Sequence, residues 1–177
     1  TADVGLRGDS LSFDATTAID VGTGVVTLVP KSPGTLISLG GSDAAGTPST
    51  LGLTDAELDR ITAGSVWIGD ANSGSITVLA EIQPLAADDL VLTTGGAISD
   101  SITGAGGHAL VVGGLTLRAP SGGIDARVAA NTVETLSDGD QFLQASGTVT
   151  IETEGLDAGS QTITLAAGTF RLGGADR

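Results

Sequence analysis

Carboxylates are the main chemical resource of this chain: 21 of them stand against seven basic side chains and one histidine. They cluster at Asp88-Asp89, at Asp138-Gly139-Asp140, and at Glu152 with Glu154. Acidic turns can gather calcium, a hard cation that takes roughly six to eight oxygen ligands. Asp138 and Asp140 are the candidates for it. The Gly-Gly-x-Gly-x-Asp calcium repeat and the EF-hand loop are both absent, so solvated acidic turns are the plainer reading and no other cofactor is implied. Glu152 and Glu154 alternate along one strand, and carboxylate pairs are the machinery of glycoside hydrolysis. Grooves of that kind are lined with aromatic and basic groups. Here those are Lys31, six arginines and the lone Trp67, so the pair reads as solvent-facing positions between inward Ile151 and Leu156.

The single histidine, His108, cannot build a His-rich zinc site, and there is no cysteine to help it. It reads as a corner or surface residue. Arg7-Gly8-Asp9 is a tripeptide that presents a cation and a carboxylate to integrins in some adhesive proteins, although three residues recur often by chance. Lys31 follows Pro30 rather than a glycine, so no phosphate loop exists. No Gly-x-Ser-x-Gly elbow is present either. Gly113-Gly114 and Gly122-Gly123 lack the strand–helix context of a dinucleotide fold and read as corners. No residue is assigned a catalytic role.

The scaffold that must position these groups is unusual in its materials. Of 177 residues, 28 are glycine and 40% are hydrophobic, yet the only aromatics are Phe13, Trp67, Phe142 and Phe170. Enough aliphatic surface exists to drive folding, which excludes a disordered polar chain. A core made of Val, Ile, Leu and Ala suits thin, regular layers. The formal charge of -14 repels phosphate backbones and anionic lipid surfaces, which excludes nucleic acid as a partner, and no stretch approaches the roughly 20 apolar residues that crossing a bilayer takes, so no direct membrane insertion is expected. Zero cysteine excludes a disulfide framework. The start of the chain has no basic, apolar signal segment and reads as a mature segment or a piece of something longer.

Short aliphatic runs alternate with glycine and small polar residues, from Leu11–Phe13 and Val25–Leu28 to Ile163–Leu165 and Phe170–Leu172. Runs of three to five, often β-branched, are strands. Two of them share a launch sequence: Gly147-Thr148-Val149-Thr150-Ile151 returns as Gly168-Thr169-Phe170-Arg171-Leu172. Likewise Gly64-Ser65-Val66-Trp67-Ile68 returns as Gly74-Ser75-Ile76-Thr77-Val78. These offsets fit a solenoid of about ten residues per side and about twenty per coil. Antiparallel hairpins would want Asn-Gly or Asp-Gly turns, and only Asp138-Gly139 qualifies. One segment differs. Thr54-Asp55-Ala56-Glu57 is a capping box, with Leu53 and Leu58 placed to staple it, and predicts a two-turn helix over Thr54–Thr62. Leu58 and Ile61 would then rest on the stack, and Arg60 would lie toward the negative end of the helix.

The run Leu51-Gly52-Leu53-Thr54-Asp55-Ala56-Glu57-Leu58-Asp59-Arg60-Ile61-Thr62-Ala63-Gly64, followed by Ile68-Gly69-Asp70 and Ser73–Val78, resembles a segment of large repetitive bacterial surface proteins of the filamentous-haemagglutinin and autotransporter-adhesin type. Leu115–Asp125 resembles their coil unit. The similarity runs over roughly residues 10–175. It implies a right-handed parallel β-helix, secretion to the bacterial cell surface, and a role as a stalk or adhesive fibre. It supplies no catalytic motif, and the usual N-terminal secretion domain has no clear match.

The expectation is therefore an all-β, right-handed parallel β-helix with one short inserted helix near 54–62, forming a single module over 1–177 of a longer repetitive chain. About eight coils would stack to roughly 40 Å at about 4.8 Å each. Its partners would be neighbouring solenoid copies end to end, or surface glycans or receptors. Two other functions stay open: a polysaccharide-degrading β-helix enzyme and a receptor-binding interaction module. A groove with clustered ionisable and aromatic side chains would favour the enzyme. Flat ladders of Thr, Ser and Ala would favour the stalk.

Overall fold

The computed structural model describes residues 2–102, 107, 109–145, 148–157, 163–166 and 169–172. Within them, fifteen strands form a mostly parallel sheet curled into a half-barrel, accompanied by one short helix. One ladder passes through Val4–Arg7, Val25–Val29, Ile61–Ile68, Ala87–Thr93, Leu110–Ala119, Ile124–Ser137, Thr148–Asp157 and Thr169–Leu172. A second passes through Thr50–Leu53, Leu36–Leu39, Ile76–Val78, Ile98–Asp100, Ile124–Ser137, Gln141–Ala145 and Ile163–Ala166. The long strand Ile124–Ser137 belongs to both, pairing through its first residues in one and its last in the other. Ile19–Asp20 pairs with the start of Ile61–Ile68.

The aliphatic runs make these strands because alternate residues must enter the space the sheet curls around. Val26, Val66, Leu90, Leu115 and Val133 occupy one register row, and each is at most 2% exposed. Ile37, Ile76, Ile98 and Ile124 form the matching row of the second ladder and are equally buried. Adjacent strands of the first ladder lie about 18 to 25 residues apart along the chain, as a solenoid period requires, except that Val26 and Val66 are 40 apart because the Thr50–Leu53 return is inserted between them. The launch sequences keep their expected register. Val149 stands opposite Phe170 and Ile151 opposite Leu172. Val66–Ile68 and Ile76–Val78 fall on different ladders, so ten residues carry the chain from one to the other.

Two expectations are corrected. The helix is one turn, Asp55–Leu58, and Ile61 already begins a strand. The second turn fails because Ile61 and Ala63 are drawn into the sheet, where each is buried. Leu58 and Ile61 do rest on the core, both fully buried, whereas Arg60 follows the helix with its Nε buried and unpartnered. Leu11–Phe13 is not a strand. Its Phe13 side chain packs on the core and its Phe13 N–H donates to Glu57 at 3.3 Å. Asp138-Gly139, the one dipeptide that could have made a hairpin, turns between strands that pair in parallel, as the solenoid reading expects.

One stretch leaves the solenoid order. After Leu36–Leu39 the chain turns back and lays Thr50–Leu53 on the free side of that strand. The turn then closes over the new edge: Ala44 and Thr50 exchange backbone hydrogen bonds, and the Asp43 carboxylate accepts from Gly52 N–H at 2.7 Å. Only glycine fits at Gly52, since a Cβ there would overlap the Ser42–Asp43 backbone.

Candidate functional site

Asp9 lies just past the first strand, and both its oxygens are engaged. Oδ1 accepts from the N–H groups of Lys31 (2.9 Å) and Ser32 (2.7 Å), and Oδ2 from the Ser32 hydroxyl at 2.6 Å. These bonds, the Ser32 hydroxyl first, hold its carboxyl below the usual range. Arg7 faces Asp70 at 3.7 Å. The tripeptide thus sits as a corner tied to the following corner. The same device recurs. Asp3 accepts from Val25 N–H at 2.8 Å, Asp55 from Gln83 N–H at 2.6 Å, and Asp59 from Leu85 N–H at 3.0 Å. Sequence reasoning read the acidic surplus as solvated turns. Four of these carboxylates, Asp3, Asp9, Asp55 and Asp59, accept from backbone donors roughly one coil further along, and that spacing was the available signal.

Asp138 and Asp140 lie exposed on the turn after Ile124–Ser137. Among the described residues, no three His, Cys, Asp or Glu side chains come together in a way that could hold a metal ion. The register between Ile124–Ser137 and Thr148–Asp157 jumps, so that Val133 faces Ile151 while Thr135 faces Leu156. Glu152 and Glu154 fall in the looped-out stretch between those pairs, and their side chains lie outside the described part, as does His108.

Among the clefts of the described residues, two cross the strand ladders. The larger, about 540 Å³, is lined by Ile98, Ile124 and the row of Ser99, Asp125, Phe142 and Thr164. Next along the strand from Ser99, Asp100 stands opposite the buried Val78, its side chain 4% exposed. The Arg127 guanidinium grips it through Nε at 2.5 Å and a terminal nitrogen at 3.1 Å, and Ile102 N–H adds a third bond at 2.8 Å. Burial raises the Asp100 pKa, but these bonds outweigh it and the carboxyl stays low. Asp125 goes the other way. Burial first, then the Asp100 charge, push its carboxyl up against the pull of Arg127.

The smaller cleft, about 360 Å³, crosses four adjacent strands of the first ladder and contains Trp67. The indole is 43% exposed, and its Nε1–H donates to Ser65 Oγ at 2.8 Å. Around it stand Asp89, Thr116, Thr132 and the Arg118–Glu134 ion pair at 3.5 Å. Gly114 opens the middle: it separates Asp89 from Thr132 in their register row, and a Cβ there would overlap the Asp89 carboxylate. Glu134 is neutralised by Arg118, and Asp89 stands in a different row two strands away, so the cleft offers hydrogen-bonding groups rather than an acid–base pair across one bond.

Among the described residues, no helix is long and apolar enough to cross a membrane. Set against family models, curated proteins and solved structures, the chain matches none of them.

Proposed function

We propose that the curled sheet is a right-handed parallel β-helix and that it serves as a non-catalytic, structural and adhesive segment of a secreted bacterial surface fibre. The observation that carries this reading is the state of the terminal strands. Val4 and Leu6 share register rows with Val26 and Leu28, which are fully buried, yet both are only partly covered. At the other end Leu165 shares a row with Leu143, which is 3% exposed, but is itself 38% exposed. Among the described residues, each ladder thus has one partly uncovered inward end, the start of the first and the close of the second, whereas Leu51 and Leu53 at the start of the second are fully buried; an uncovered end is a surface on which a further coil can stack, and open parallel edges template such pairing. A ladder that continues this way is stiff, because each coil is held by hydrogen bonds and side-chain rows to its neighbours alone.

Stacking would join copies of the segment end to end, or coils of one longer chain, leaving the outward faces for glycans or receptors. Repulsion between highly acidic copies opposes association, and salt screens it over about 10 Å at 0.1 M. Light scattering and electron microscopy across a salt series should therefore show rods that lengthen as salt rises. A strictly monomeric particle at every salt concentration would overturn end-to-end assembly.

A further inference from the structure

The cleft around Trp67 is a built feature that the stalk role does not use. The outward surface of a spacer needs only small polar residues, yet this row carries the chain's only tryptophan with nearly half of its surface in water. Exposed large rings stand out on a soluble surface, and Trp is the residue most enriched where binding energy concentrates. Its polar edge is already satisfied by Ser65, which fixes the ring and leaves its apolar surface as the part still open to a partner. Within the same cleft are carboxylate and hydroxyl acceptors from Asp89, Thr116 and Thr132. Gly114 supplies the depth.

We infer that this cleft binds a neutral, extended oligosaccharide, with one pyranose ring packed on Trp67 and its hydroxyls hydrogen-bonded by Asp89, Thr116 and Thr132. A pyranose presents both chemistries at once: a face of C–H groups for an aromatic ring and a rim of hydroxyls for carboxylate and threonine partners. The cleft's shape agrees, since four strands at about 4.8 Å spacing make a track of about 14 Å, room for about three sugar rings in line. Its volume lies within the range of small-ligand sites, about 300–1,000 Å³. Charge selects among glycans. Arg118 is taken up by Glu134, Asp89 adds a negative charge, and the chain carries -14, so uronic, sialylated and sulphated chains are repelled.

The inference rests on the adhesive half of the function proposed above, and its failure would leave the stacking test untouched. Because Trp67 is the only indole, its fluorescence reports the site directly. Titration with cellotetraose and with chitotetraose should give a saturable change for at least one of them, unaffected by 0.5 M added salt and absent with trigalacturonate. Calorimetry with the same sugar should show at least a tenfold loss of affinity for Trp67→Ala. Asp89→Asn, which keeps the indole as reporter, should lose about threefold or more; circular dichroism confirms that each variant is folded. No fluorescence change with either neutral sugar at 10 mM would overturn the inference. So would binding of tetralysine instead, weakened by salt, which would make the cleft a site for cationic peptides.

Discussion

Thr135 and Gln141 occupy inward positions where neighbouring strands place aliphatic residues, and both are buried. They satisfy each other, with the Thr135 hydroxyl donating to Gln141 Oε1 at 2.5 Å. Gln141→Leu takes away the acceptor of the buried Thr135 hydroxyl, so it should cost about 1–3 kcal/mol. Adding Thr135→Val to that variant removes the stranded hydroxyl and should recover part of the loss in a urea double-mutant cycle followed by Trp67 fluorescence. The carboxylates beside Arg127 make a second test. Asp100 has a folded pKa below its unfolded value, so its contribution to stability is present above about pH 4 and fades as pH falls through the folded value. Asp125 has a raised folded pKa, so its contribution is present below the unfolded value and lost as pH rises. Asp100→Asn should lower Tm at pH 7, and Asp125→Asn should raise it. Both differences should shrink toward pH 3 in thermal melts monitored by circular dichroism.

The single helical turn gains its place from one side chain. Glu57 Oε2 accepts from Thr54 N–H at 2.9 Å and from the Thr54 hydroxyl at 2.8 Å, while Oε1 accepts from Phe13 N–H. The helix is thereby bound to its own start and to the segment that covers the core beneath Phe13. A turn this short cannot hold itself by helical hydrogen bonding alone. Thr54→Ala should cost about 1 kcal/mol. Glu57→Ala should cost more, about 2 kcal/mol, because three donors lose their acceptor together. Equal losses in urea melts of the two variants would mean that the Phe13 contact carries no weight.

Across the stack, stability should depend on how many neighbours a coil has. Leu90 lies mid-ladder between Val66 and Leu115, whereas Val4 meets only Val26 in its row. Leu90→Ala should therefore cost about 2–5 kcal/mol, as buried Leu truncations do. Val4→Ala, at a partly covered end, should cost less than about 1 kcal/mol. If copies stack as proposed, raising salt should increase the cost of Val4→Ala while leaving that of Leu90→Ala unchanged. Urea denaturation at two salt concentrations separates the two cases.

Strand identity, the parallel arrangement and the pairing of Val149 with Phe170 were legible in the chain, because period-two aliphatic runs at a solenoid spacing admit few other ways to bury themselves. The capping box was legible for the same kind of reason: its bonds join residues three apart. Other features arise between residues far apart, and no local pattern announces them. The length of the helix depended on Ile61 finding a place opposite Ile19 in the sheet, which ended the second turn. The return of Thr50–Leu53 onto Leu36–Leu39 depended on the space above Gly52. Acidic residues that read as solvated turns became acceptors once curling brought an unpaired N–H from the next corner to them. The cleft at Trp67 formed because Gly114 and Asp89, 25 residues apart, came into one register row, a juxtaposition that exists only in the folded ladder.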